Sequence, residues 1–189
     1  MKKAIILPGI GYTPEKPLLY YSRKLAQKHD FEIEIIRYDS EFDCQRKKNM
    51  SLLEKANLLY ENAIKKLDSC NLSAMQGDDD CIIFFSKSIG TMIAARYAKE
   101  NNLLCGHVFF TPLPETFKYV SDGYGIAFAG TDDNLAPFDD IEKECEQNHI
   151  ELYPIEGANH SLETGEVIDD IDFIADIMEV VDTYIDEYE

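Results

Sequence analysis

Nowhere does this 189-residue chain approach the roughly 20 consecutive apolar residues that a membrane-crossing helix needs. Its five cysteines (Cys44, Cys70, Cys81, Cys105, Cys145) contain no Cys-x-x-Cys pair or other metal-ligand spacing. They read as small hydrophobes kept reduced, and no metal site is expected. Basic residues are scarce. With 18 Lys and Arg against 36 Asp and Glu, the formal net charge of −18 repels phosphates and argues against nucleic acid or an anionic membrane as partner. Between Glu163 and Glu189 there is no Lys or Arg, while eleven residues are acidic. No internal repeat, low-complexity tract or interdomain linker interrupts the chain, so a single domain over residues 1–189 is expected. The charged start, Met1-Lys2-Lys3, precedes an apolar run of only Ala4 to Leu7. That run is too short for a signal peptide; it reads as a buried first strand, and a cytoplasmic location is expected.

Cofactor signatures are equally incomplete. Gly9-x-Gly11 lacks the third glycine of a dinucleotide fingerprint, and Pro14 and Pro17 break the spacing. No Walker lysine arrangement accompanies Ser88, and Asp78-Asp79-Asp80 lacks the other ligands of a calcium loop, so it reads as a solvated loop. No cofactor is expected.

What is present is alternation. Ala4–Leu7 reads as a strand, followed by a Gly/Pro loop and a helix from Pro17, suited to a first helical position, to Lys28. Phe31–Tyr38 is a second strand and Ser40–Asn49 a polar loop. Ser51 with Glu54 forms a capping-box pattern opening a helix with Leu52, Ala56, Leu59, Ala63 and Leu67 on its apolar face. After the loop Asn71–Asp80, further strands are expected at Cys81–Phe85, Cys105–Phe110, Tyr124–Ala129 and Ile150–Ile155. Helices are expected over Met92–Ala98 and Pro137–Gln147. The acidic segment closes the chain as an amphipathic helix, with Val167, Ile171, Ile174, Met178, Val181 and Ile185 as its core face. Such alternation predicts a three-layer α/β/α domain around a six-stranded, mostly parallel, doubly wound sheet. Chemistry in such sheets gathers at the carboxyl ends of the strands.

Three strand ends carry reactive groups. Ser88 lies in Ser86-Lys87-Ser88-Ile89-Gly90, between an apolar strand and a run of helix formers. This is the context that raises a serine on a tight elbow as a nucleophile, with small residues two positions away on either side. Asp132 and Asp133 follow the fifth strand, and His160 follows the sixth. A serine hydroxyl is inert near neutral pH until an imidazole takes its proton, and a carboxylate must hold that imidazole in the right tautomer. Taken singly, Ser88 also reads as a helix N-cap, the aspartates as turn residues and His160 as a surface histidine. Their joint placement, in the order Ser…Asp…His, favours a catalytic set. Of the other histidines, His29 and His149 close predicted helices, and His107 lies in a buried strand as a packed core residue.

With these motifs the chain resembles a small, lidless member of the α/β-hydrolase superfamily over nearly its whole length, without the two N-terminal strands of larger members. Ser86-Lys87-Ser88-Ile89-Gly90 corresponds to the nucleophile elbow, with Ser86 where glycine is usual. Gly130-Thr131-Asp132-Asp133-Asn134-Leu135-Ala136-Pro137 resembles the Gly-x-x-Asp-x-x-x-Pro acid loop and selects Asp133. Gly157-Ala158-Asn159-His160 resembles the loop of the catalytic histidine. The resemblance implies a Ser88–His160–Asp133 triad. It also implies an oxyanion hole from the backbone amides of Ile89 and, within Pro8-Gly9-Ile10-Gly11, of Ile10; many members have histidine where Pro8 stands. The implied activity is hydrolysis of small carboxylic esters or thioesters, with a small-molecule acyl substrate and no cap domain.

About a dozen residues separate the fourth and fifth strands, which predicts a shallow, open site. Thr111-Pro112-Leu113-Pro114, with Phe117 and Tyr119, is expected as one apolar wall for the substrate and Tyr12 as another. Lys87 is expected either to attract an anionic substrate or to point to solvent. The rival reading is a catalytically silent module of the same fold that binds a protein through its acidic helix; transfer to an acceptor other than water is a third.

Overall fold

The computed structural model describes residues 1–38, 50–75, 77, 79–120 and 125–188. Cys44, the loop Ser40–Asn49, Asp78 and Tyr124 fall outside the described residues. Strands form at Lys2–Leu7 (β1), Glu32–Ile35 (β2), Cys81–Lys87 (β3), Gly106–Phe110 (β4), Gly125–Gly130 (β5) and Glu151–Ile155 (β6). Helices form at Pro17–Lys28 (α1), Leu52–Ser69 (α2), Ile89–Glu100 (α3), Phe138–Gln147 (α4) and Val167–Tyr188 (α5). The six strands lie in the order β2-β1-β3-β4-β5-β6, and every neighbouring pair is parallel.

Strand side chains alternate between two apolar layers, as a pleat of period two requires. Ile5, Leu7, Ile82, Phe84, Phe109 and Ala127 pack under α2, α3 and α4. Ala4, Ile6, Ile83, Phe85, Val108 and Phe128 pack under α1 and α5. The sheet is therefore the middle of three layers. Strands buried on both faces read as continuous apolar runs, and Cys81–Lys87 is buried throughout.

Local signals position the helices. Pro17 opens α1, and Ser51 with Glu54 forms both hydrogen bonds of a capping box at α2. The acidic helix departs from its expected face. Val181 and Ile185 are buried, joined by Ile177, whereas Val167 and Ile171 are 69% and 55% exposed. A stripe stepping by three and four advances 3.5 residues per turn and drifts around a helix of 3.6, so only part of it meets the sheet. The histidine closing α1 is tied to that helix: His29 Nε2 lies 2.7 Å from Asp182 Oδ1.

The chain leaves β1 toward β2 and then crosses back to β3. Strand order thus reverses between β1 and β3, and it is at the carboxyl edge beside such a reversal that sheets of this kind place their chemistry.

Candidate active site

Ser88 stands at that reversal, between the end of β3 and the first turn of α3. Its backbone has φ 54° and ψ −123°, a strained conformation for a residue with a side chain. The surroundings impose it. The Ser88 amide donates to Phe110 O at 2.9 Å, and the Thr91 amide and hydroxyl both donate back to Ser88 O, at 2.9 and 2.6 Å. The turn also requires Gly90: a Cβ there would lie 2.5 Å from Leu7 O and 2.7 Å from Pro8 O. Ser86, standing where a second small residue is needed, is fully buried, and its hydroxyl donates to Val108 O at 3.4 Å.

The loops after β5 and β6 are stitched together. The Thr131 amide donates to Ile155 O and the Asp132 amide to Ala158 O, both at 3.0 Å, while the Gly157 amide donates to Thr131 Oγ1 at 2.8 Å. Gly130 permits the contact, since a Cβ there would fall 2.1 Å from Ala158 O. This brings Asp133 to His160. Asp133 Oδ2 lies 2.6 Å from His160 Nδ1, and His160 Nε2 lies 2.7 Å from Ser88 Oγ. The second Asp133 oxygen accepts the amides of Leu135 at 2.8 Å and Ala136 at 3.1 Å. Asp132, its neighbour, is exposed and takes no part in this row.

Burial alone would raise the pKa of Asp133. The hydrogen bond from His160 and the two amides outweigh burial and hold its carboxyl below the ordinary range. An ionised carboxylate only accepts, so the proton of a neutral His160 sits on Nδ1 and Nε2 is left bare toward the Ser88 hydroxyl.

The loop leaving β1 reaches the same point. A Cβ on Gly9 would lie 3.2 Å from Ser88 Cβ and 3.1 Å from Lys87 O, so its backbone runs directly against the elbow. Ile10 follows it and is 44% exposed, and Ile89 is the first residue of α3.

The residues expected to face a substrate are placed otherwise. Tyr12 is buried, accepts the Leu18 amide at 3.2 Å and has its phenol pushed up to about 12 by burial, so it is core rather than wall. Leu113 and Phe117 are packed into the apolar layer under α3, Pro112 is buried and Tyr119 is only partly so. Pro114–Lys118 in this connection forms a short 3₁₀ turn with Thr116 and Phe117 buried. Lys87, expected at an anionic substrate or in solvent, is 1% exposed. As residue i+2 from Phe85 it shares that side chain's inward face, a parity legible in the sequence. Its ammonium donates to His160 O at 2.6 Å and to Thr111 Oγ1, and it lies 5.2 Å from the Tyr12 ring centroid. Thr111, expected in the apolar wall beside Pro112, is fully buried with φ 44°.

Among the described residues, no cluster of His, Cys, Asp or Glu converges as a metal site. A concavity of about 210 Å³ lies away from Ser88, lined in part by Leu103, Leu104, Cys105 and His107.

No protein-family model matches the sequence, and no curated protein matches it significantly. Solved structures do. An α/β serine hydrolase without a lid from Xanthomonas campestris superposes with TM-score 0.70 at 9% identity, covering 98% of this chain and 81% of that one. Est1E from Butyrivibrio proteoclasticus, solved with ferulic acid bound, gives 0.68 at 13% identity over 100% and 89%. An α/β serine hydrolase homologue from Coxiella burnetii gives 0.66 at 14% over 97% and 84%. The chain therefore has the α/β-hydrolase fold, in a six-stranded form.

Proposed function

We propose that the protein is a serine hydrolase of small carboxylic esters or thioesters, working through an acyl-enzyme on Ser88. The observation that carries this reading is the continuous hydrogen-bonded row from Ser88 Oγ through the His160 ring to Asp133. In the first step His160 Nε2 takes the hydroxyl proton while Ser88 Oγ bonds to the acyl carbon. The carbonyl π pair moves onto oxygen, giving a tetrahedral intermediate. Asp133 keeps the ring oriented and offsets its positive charge. As the intermediate collapses, the imidazolium protonates the leaving alcohol or thiol, and the ester or thioester bond breaks. His160 then takes a proton from water, whose oxygen bonds to the acyl carbon; the acyl–Oγ bond breaks, the carboxylic acid leaves, and the imidazolium returns the proton to Ser88 Oγ.

The developing oxyanion needs donors that are already in place. The amide of Ile89 begins α3, whose dipole favours negative charge, and the amide of Ile10 follows the Gly9 backbone packed on the elbow. These two are assigned to the oxyanion. The short β4–β5 connection, about a dozen residues long, supports a preference for small substrates over long lipids. The chemistry requires neither metal nor cofactor. Nucleic acid and membrane are not proposed as partners: the charge is −18, and no described helix is long and apolar enough to cross a bilayer.

A fluorophosphonate probe tests the assignment, because it captures only an activated serine. Stoichiometric labelling of the wild type, lost in Ser88→Ala, is expected. A series of p-nitrophenyl esters should then show turnover falling as the acyl chain lengthens. A folded protein that takes up no probe would favour a silent binding module.

A further inference from the structure

A lysine ammonium withdrawn from solvent stands beside the serine of the proposed hydrolase. Burying such a charge is costly unless the site supplies partners, and an apolar side chain of similar size would fill the space at lower cost. The partners supplied are specific. Lys87 Nζ donates to the backbone oxygen of His160 at 2.6 Å and to Thr111 Oγ1, and the face of Tyr12 lies against it. Thr111 is held rigidly. It is β-branched yet has φ 44°, and its amide is fixed to Phe128 O at 2.8 Å. A left-handed backbone at such a residue costs on the order of 1–3 kcal/mol and persists only where its surroundings over-determine it. Two adjacent strands, β3 and β4, therefore end in strained residues, Ser88 and Thr111, and Lys87 bonds to one while being chain neighbour of the other.

Asp133 holds only one edge of the imidazole. The residue that carries the ring belongs to the loop after β6, and a shift of that loop would carry Nε2 away from Ser88. The Lys87–His160 bond opposes such a shift by joining the His160 main chain to the residue that precedes the nucleophile.

We propose that Lys87 is a positioning residue for the Ser88–His160 pair: its ammonium, anchored on Thr111, ties the His160 backbone to the end of β3 and so sets the Oγ–Nε2 separation. Its effect on rate rests on the hydrolase reading above, whereas the tie itself does not. Lys87 touches no reacting atom in this role.

The test separates position from stability. In Lys87→Met the first-order rate of Ser88 phosphonylation at saturating fluorophosphonate should fall about 10- to 100-fold, as expected for a misplacement on the ångström scale. The half-saturating probe concentration should stay within about threefold of wild type, because the probe's own contacts are untouched. The thermal midpoint should not fall. In the proton NMR spectrum, the resonance of the His160 Nδ1 proton shared with Asp133 should shift or broaden. Thr111→Val should move rate and resonance in the same direction, and Thr111→Ser, which keeps the hydroxyl, should restore both. If Lys87→Met fails to fold, the Thr111 pair carries the test. Wild-type labelling rates and an unmoved resonance in Lys87→Met and Thr111→Val would overturn the proposal. Should the wild type itself resist labelling, the hydrolase reading falls, and the resonance alone decides: moved, the tie stands; unmoved, it does not.

Discussion

Two histidines on β-strand connections and strands of this molecule have opposite environments. His160, at the carboxyl edge of the sheet, is part-buried and has a partner on each ring nitrogen, Asp133 on Nδ1 and Ser88 on Nε2. His107 lies within β4 near the amino edge, 6% exposed and stacked between Phe84 and Phe109 with ring centroids 5.4 and 4.8 Å away. Its Nε2 lies 3.5 Å from Cys105 Sγ, and Nδ1 has no hydrogen-bond partner among the described residues. Burial drives the pKa of His107 down to about 3 and that of Cys105 up to about 12. Both groups are thereby held neutral, and a Cys–His pair that resembles a nucleophile and its base is disarmed by its surroundings. Proximity of the right residue types does not make a catalytic pair; the role proposed for His160 rests also on the Asp133 carboxylate and on its place after a strand end.

The sharpest way to break this contrast is to exchange the roles by mutation. His160→Gln should lower the rate of fluorophosphonate labelling and of ester hydrolysis by about 10³-fold or more, since the serine loses its base. His107→Phe should leave both rates within about twofold of wild type. Because the substitution also removes an unpartnered buried nitrogen, its cost in stability should be small or of favourable sign. Comparable losses of activity from the two variants, measured on proteins of matched thermal midpoint, would erase the distinction.

How far this contrast was legible beforehand depends on what each residue's position demands. Ser88, Asp133 and His160 stand on loops directly after strands, so chain order and strand–turn–helix context placed them at one edge, and the resemblance to the acid loop selected Asp133 over Asp132. The helix Pro17–Lys28 could be bounded by its proline and closing histidine, and Ser51–Glu54 by its reciprocal cap. The second strand could not. Phe31–Tyr38 looks like one strand through Ile33, Ile35 and Ile36, but the strand occupies only Glu32–Ile35: it is an edge paired with β1 alone, and β1 ends at Leu7, before Pro8, which has no amide N–H to extend the pairing. Direction of side chains was the weaker point. Tyr12, Pro112 and Leu113 resemble pocket residues by type and location, but Leu113 packs into the layer under α3 and Tyr12 into the layer under α1 and α5. The all-parallel pairing follows from the crossovers, whereas the burial of Thr111 and its positive φ left no trace in residue type.

Protonation sharpens the comparison between the two ends of the sheet. His107 has an ordinary pKa of 6.5 and a folded value of about 3. Between those values the unfolded chain binds the extra proton, so stability falls as pH drops from 6.5 toward 3. Lys87 falls from 10.5 to about 7, chiefly through burial; Asp133 and Glu163 oppose the drop and Lys16 adds to it. Again the unfolded chain holds the extra proton, so stability rises as pH climbs from about 7 toward 10.5. Each group contributes a slope of up to about 1.4 kcal/mol per pH unit within its window. Urea midpoints of wild type measured against His107→Phe below pH 6.5, and against Lys87→Met above pH 7, should show the two slopes in separate windows. A difference curve that is flat in either window would remove that group from the account.

The smallest effect lies at the amino edge. The hydroxyl oxygen of Tyr184 on α5 accepts the His107 amide at 3.2 Å, and burial pushes its phenol pKa well above the ordinary value. The fit there is close, since a Cβ on Gly106 would lie 2.7 Å from the Tyr184 oxygen. Tyr184→Phe keeps the ring stacked against Tyr188, whose centroid is 5.8 Å away, and removes one acceptor. The loss should be about 1 kcal/mol, the net value of a neutral hydrogen bond whose donor keeps limited access to other partners. Activity should not change, because the pair sits at the far end of the strands from Ser88. If Tyr184→Phe instead slowed labelling at unchanged stability, the two ends of the sheet would be coupled through β4, and the separation between a packed histidine and the one proposed as base would no longer hold.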